Sequence, residues 1–183
     1  MPKLLKLRRF GDPVLRAAGR KLMVAEITSK PIQELIANIR YTNQTKQYGV
    51  GLAAAQVGKR MALSLIGIKP TPNHPKLKLF ESIIINASYE GIGTTIPMWE
   101  GCQSCGSGDD ILFGQAERFE TIQASWYDEH ANLHIEHLTG FVAQVFQHEA
   151  DHQRGILFVD RVRDTKTYMM ADEYRKRIIN KQA

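Results

Sequence analysis

The chain has 183 residues, 43% hydrophobic and 23% charged, with 24 basic against 19 acidic side chains for a formal charge of +5. That length suits one domain, residues 1–183, with a real core, and the composition is ordinary for a soluble globular protein and does not suggest disorder. No apolar run approaches the ~18 residues of a membrane span, residues 1–10 lack the apolar core of a signal peptide, and the positive charge is dispersed without a nucleic-acid motif beside it. A cytoplasmic protein is expected, with no membrane and no DNA partner. Mild basic clusters at 3–9 and 175–181 leave room for a transient ribosome contact.

In chain order, residues 31–47 read as a helix with Ser29 as N-cap, Pro31 in the first turn, and Ile32, Leu35, Ile36 and Ile39 on its apolar face. Residues 48–58, rich in Gly and Ala, read as a tight turn. Strands are expected at 61–68, 79–86 and 88–97, with a proline-bearing loop at 69–75. Residues 120–127 and 132–137 form a hairpin around 128–131. Helices follow at 138–153 and 165–180. Strands and helices mix without βαβ alternation, so the fold class is α+β: antiparallel or mixed sheets around a central helix, with a C-terminal helix.

The sharpest local signal lies on the penultimate helix, in His148-Glu149-Ala150-Asp151-His152. Histidines four apart share one helix face and can reach a single metal ion, with Glu149 beside them as a proton acceptor. Leu138, Phe141, Val142, Val145 and Phe146 run at helical spacing, and both histidines continue that apolar stripe. Interior imidazoles need a shared partner, and a metal is a natural one.

A catalytic metal takes three protein ligands and keeps one open position. No acidic residue downstream of His152 sits in a recognisable extended motif. Upstream stands Cys102, in Glu100-Gly101-Cys102-Gln103-Ser104, and a thiolate with two imidazoles makes a tetrahedral site. Cys105 completes a C-x-x-C pair, which reads as a redox motif, half of a structural zinc site, or a coincidence around one functional cysteine. Cys105 and His148 stand far further apart than the ~12–15 residues of a zinc finger.

Together with Gly49-Val50-Gly51-Leu52-Ala53-Ala54-Ala55-Gln56, these segments give three motifs, G-x-G-L-A-A-x-Q, E-G-C-x-S and H-E-x-D-H, in order. The chain resembles the peptide deformylases nearly end to end, with weaker echoes at 11–16 and 155–160. The resemblance implies a metal-dependent hydrolase that removes the formyl group from N-formylmethionyl peptides of nascent bacterial proteins and releases formate. It implies Cys102, His148 and His152 as ligands of one divalent ion, Fe²⁺ in the cell, with Zn²⁺, Ni²⁺ or Co²⁺ able to substitute; ligand type alone suits zinc equally. Glu149 would take a proton from water and pass it to the departing amine, while the Gln56 amide and the Gln103 backbone N–H hold the oxyanion. Val50, Gly51, Phe141 and Val145 are the candidates for contact with the methionine. Arg118 and Asp151 would form an ion pair bracing the metal helix. A monomer is expected. A related amidase on another N-acylated substrate, or an inactive metal-binding paralogue, are the alternative readings.

Between Cys102 and Arg118 the chain departs from the family pattern. Gln103 replaces a frequent Leu, and Cys105-Gly106-Ser107-Gly108-Asp109-Asp110 replaces an apolar-Pro stretch and its following Arg, in a loop a few residues longer. Asp109 and Asp110 would repel a peptide carboxylate placed nearby. Cys105 could pair with Cys102 on oxidation, act as a fourth metal ligand, or be a small loop residue.

Overall fold

A computed structural model describes residues 1–45, 49–70 and 77–180. The end of the expected 31–47 helix, the first residue of the Gly/Ala turn and most of the 69–75 loop lie outside them. Among the described residues, four α-helices, α1 (Val24–Ile27), α2 (Lys30–Gln44), α3 (Gly140–Gln153) and α4 (Ala171–Tyr174, continued by a π turn at Arg175–Ile179), and several 3-10 turns accompany six strands. These are β1 (Gly51–Ala53), β2 (Leu63–Ile68), β3 (Phe80–Gly101), β4 (Leu112–Tyr127), β5 (Leu133–Thr139) and β6 (Met169–Met170). The strands lie in the order β1-β2-β3-β4-β5, with β6 against the start of β4, and every ladder is antiparallel. The α+β class stands, and the "mixed" option is dropped for these ladders.

The sheet separates two apolar layers. Side chains alternate across a strand, so Leu63, Leu65, Ile83 and Ile85 face Ile32, Leu35, Ile36 and Ile39 of α2. Ile66, Ile68 and Ile84 face Ala143, Val145, Phe146 and Ala150 of α3. Both sides of β2 and of the start of β3 are covered, which is why these segments read as continuous apolar runs. Ser29 does start α2, with Pro31 in its first turn, but its side chain makes no cap hydrogen bond.

Three expectations on element boundaries are corrected. The strands at 79–86 and 88–97 are one strand of 22 residues. Asn86, at φ 54°, makes the break that sequence periodicity sees, and the register to β4 shifts between Ile85 and Ser88. Its side chain bonds the Leu22 N–H at 2.9 Å and the Leu22 carbonyl at 2.8 Å, which holds an Asn in that left-handed conformation. The hairpin strand expected from 120 begins at Leu112. The helix expected over 165–180 is a 3-10 turn at Thr165–Thr167, strand β6, and only then helix. Met169 and Met170 pair with Phe113 and Leu112, and the Tyr168 hydroxyl donates to the Val159 carbonyl at 3.1 Å, so the chain is extended there.

α3 is buried on nearly all sides from Ala143 to Gln153, not along one stripe. Phe141, expected in that stripe, is 38% exposed, because the first turn of α3 projects past its covering layers.

Candidate metal centre

Two elements carry the three donors. β3 ends at Gly101 and delivers Cys102; α3 delivers His148 and His152 one turn apart. The Cys102 sulfur and one nitrogen of each imidazole lie within 4.8 Å of one another. Cys102 and His152 are buried, and His152 Nε2 stands 3.4 Å from Cys102 Sγ. His148 Nδ1 is engaged by Glu100 Oε2 at 2.9 Å, which turns its Nε2 toward the cluster. Cys105 is not among the converging donors, so the four-ligand structural site weighed from the C-x-x-C spacing does not form. A set of one thiolate and two imidazoles fits a single divalent ion with one position left for another group. The electrostatics agree. A hydrogen bond from Cys105 acts against burial to hold the Cys102 thiol well below its ordinary range, and His152 and His148 add to it.

Glu149 is 3% exposed and its Oε2 has no hydrogen-bond partner among the described residues. Burial pushes its carboxyl up to about 7, against the two neighbouring histidines that pull it down. A carboxyl poised there can both accept and return a proton near neutral pH. Its Oε1 lies against Gly51, where an added Cβ would come within 2.3 Å of it. The Gly/Ala-rich motif therefore supplies a gap that only glycine leaves for the carboxylate.

Gln56 is buried in the 3-10 turn Ala54–Val57. Its Oε1 accepts from the Ala53 N–H at 2.8 Å, which assigns the amide orientation. Its Nε2 therefore faces Ser104 Oγ at 3.2 Å and Cys102 Sγ at 3.5 Å. Gln103 opens the 3-10 turn Gln103–Cys105 directly after Cys102. The N-terminal segment straps both loops, through Arg8 N–H to the Gln56 carbonyl at 2.8 Å and Phe10 N–H to the Ser104 carbonyl at 2.7 Å. Of the residues expected to meet the methionine, Gly51 touches Glu149 and Val145 packs in the α3 layer. Val50 and Phe141 are each 38% exposed.

Arg118 and Asp151 do pair, at 2.5 Å, and both side chains are 1% exposed, so they are not independent surface charges. The pair belongs to a larger network that the sequence did not announce. Arg118 also grips Glu100 with two hydrogen bonds, at 2.8 and 3.0 Å, and Arg161 grips Asp151 with two more, both at 3.0 Å. Two guanidiniums balance two carboxylates. Burial pushes the Glu100 carboxyl up, but the Arg118 charge and the His148 hydrogen bond outweigh it and hold it at about 2. Glu100 stands inside a quoted motif; what was missing is the pairing of β3 with β4, which sets Glu100 opposite Gly114 and brings Arg118 within reach.

In the divergent loop, Gly106 has φ +138°, and a Cβ there would sit 2.0 Å from the Asp110 carbonyl oxygen. Asp109 pairs with Arg175 at 2.5 Å, so its charge is directed to the C-terminal helix. That helix is anchored beside the loop by Tyr174, stacked on Phe113 at 4.2 Å.

A buried carboxyl raised to near neutrality beside a compact cysteine–histidine cluster that could hold a metal, on a helix packed against an antiparallel sheet, is the arrangement of a metal-dependent hydrolase. The family model for polypeptide deformylase matches residues 4–168. The chain is 34% identical over 177 residues to peptide deformylase 2 of Nostoc sp., covering 96% of this chain and 95% of the relative. It is 37% identical over 166 residues to a peptide deformylase of Bifidobacterium adolescentis, covering 87% and 73%. A class I type b peptide deformylase from Acinetobacter baumannii, solved with Met-Ala-Ser bound, superposes with a TM-score of 0.80 at 26% identity, covering 88% of this chain and 100% of that one. The Thermotoga maritima peptide deformylase superposes with a TM-score of 0.74 at 28% identity, covering 88% and 99%. The chain belongs to the polypeptide deformylase family and is an enzyme of that type.

Proposed function

We propose that this chain, acting as one domain, removes the formyl group from N-formylmethionyl peptides in the bacterial cytoplasm, with Fe²⁺ as its physiological ion. The observation that carries the reading is the buried, unpartnered Oε2 of Glu149 beside the three converging donors. Cys102, His148 and His152 would hold the ion, which when bound supplies Lewis acidity toward the formyl carbonyl and toward water. Glu149 takes the proton of the attacking water at its free Oε2, and Gly51 leaves that carboxylate room beside the backbone of β1. The Gln56 Nε2 is held by its own carbonyl's bond to Ala53 and stands ready to donate to the developing oxyanion. The Gln103 backbone N–H adds a second donor; one such group contributes ~3 kcal/mol to lowering a barrier. Glu149 then returns its proton to the departing methionine nitrogen. Glu100, locked by Arg118, keeps His148 in a single tautomer and ring orientation.

Val145 and Phe141 precede Glu149 by one and two helical turns on the same face of α3, and Val50 adjoins Gly51, which supports these four residues as the methionine contact. The Met-Ala-Ser seen in the Acinetobacter baumannii relative supports a methionyl peptide as the product. The test is formate release from formyl-Met-Ala-Ser by anaerobically purified, iron-loaded protein. Release that disappears in Glu149→Gln, with metal retained, is expected. A metal-loaded wild-type protein that releases no formate would refute the substrate assignment.

A further inference from the structure

The second cysteine of the divergent loop is absorbed by none of these roles. Cys102 and Cys105 are the only two cysteines of the chain. The turn Gln103–Cys105 brings them together: the Cys105 N–H donates to the Cys102 carbonyl at 2.8 Å. A turn closed by such a bond keeps its end Cα atoms within ~7 Å, overlapping the ~4.4–6.8 Å that a disulfide spans. The two side chains stand at the two ends of that one short turn. Burial differs between them. Cys102 is 2% exposed, whereas Cys105 is half-buried and lines a cavity of about 530 Å³ together with Phe10, Leu112, Val159, Tyr168 and Met170. None of the three donors, Gln56 or Glu149 lines that cavity. Cys105 is thus open to a cavity that the other residues of the site do not line, while Cys102 lies behind it.

We infer that Cys105 is a resolving cysteine for the metal ligand Cys102, so that a peroxide converts the pair into a reversible disulfide that releases the metal and spares Cys102 from irreversible oxidation. The inference rests on the reading of Cys102 as a ligand. The chemistry balances with hydrogen peroxide as oxidant. The Cys102 thiolate attacks one peroxide oxygen, the O–O bond breaks, and hydroxide leaves, giving a sulfenic acid. Cys105 sulfur then attacks Cys102 sulfur; the S–S bond forms, the S–O bond breaks, and the second oxygen departs as water with the Cys105 proton. Two thiols lose two electrons and one peroxide gains them. The disulfide removes one of three ligands, and a dithiol reductant reverses the step by thiol exchange.

The test uses full-length protein loaded with Zn²⁺, which has no redox chemistry of its own. Hydrogen peroxide is added, zinc release is read with a chromophoric chelator, and the 102–105 peptide is weighed after alkylation of free thiols. The wild type is expected to lose its zinc, to yield a peptide two hydrogens lighter and closed to alkylation, and to recover zinc binding after dithiothreitol. In Cys105→Ser, Cys102 is expected to gain two or three oxygens, with zinc binding not recovered. A wild-type peptide that carries the added oxygens, or that loses zinc with both thiols still open to alkylation, overturns the inference even if the variant does not fold. Protein that takes up no zinc before peroxide would instead sink the ligand reading, while the peptide mass still reports whether the pair closes.

Discussion

Replacing Arg118 by Met tests the buried charge network most directly. Methionine keeps most of the side-chain volume and removes the guanidinium that bonds Glu100 twice and Asp151 once. Asp151 keeps Arg161, whereas Glu100, 6% exposed, keeps only His148 and a long bond from Gln144 at 3.4 Å. Removing one partner of a buried pair costs ~3–5 kcal/mol, and the surviving Arg161 places this case near ~3. For a chain of this size that is a fall in Tm of roughly 6–12 °C. Because Glu100 orients His148, metal affinity should also drop ~10–100-fold. The deficit has a pH signature. Glu100 sits at about 2 in the wild type, below its unfolded value of about 4.3. Its contribution is therefore complete above the unfolded value and is lost as pH falls toward the folded one. Without Arg118 that depression disappears, so the gap between variant and wild type is full at pH 7 and narrows below about pH 4. Adding Glu100→Gln removes the stranded charge and should recover ~1–3 kcal/mol of the loss. Urea denaturation of the metal-free proteins across pH, with zinc titrations at pH 7, reads every part. A variant within ~0.5 kcal/mol of wild type at pH 7, or a gap that widens in acid, would refute the reasoning.

Other outcomes follow from single contacts. Glu149→Gln should bind one equivalent of metal as the wild type does and lose formate release, since the amide fills the same space without accepting a proton; atomic absorption and a formate assay check both. Gly51→Ala drives a methyl into the Glu149 carboxylate, and a ~1 Å displacement of the acid/base should lower kcat ~100-fold with metal content kept. Phe146→Ala, at a fully buried ring between α3 and Trp126, should cost ~3–5 kcal/mol by denaturation through the cavity it leaves.

The helix with its two converging histidines and the glutamate beside them was legible because one helical turn sets their spacing, and the E-G-C-x-S and Gly/Ala motifs were legible because backbone constraints sit in adjacent residues. Even the Arg118–Asp151 pair was within reach by family likeness. The double grip of Arg118 on Glu100 and the arrival of Arg161 were not, since they join β3, β4 and a segment beyond α3 that only sheet register and chain return bring together. Asn86 shows the same limit in one residue: locally it ends a strand, but its bonds to Leu22 and the pairing of β3 with β4 on both sides carry the strand through. The segment ahead of α4 was misread as helix because Met169 and Met170 satisfy either period, and β4 offered them an edge. By itself the sequence determined which atoms can hold a metal and move a proton, because local geometry dictates those spacings. The tertiary structure alone decided which charges are buried and how they are neutralised, why residue 51 must be glycine, and that Cys105 lines a cavity, because each depends on atoms far apart in the chain.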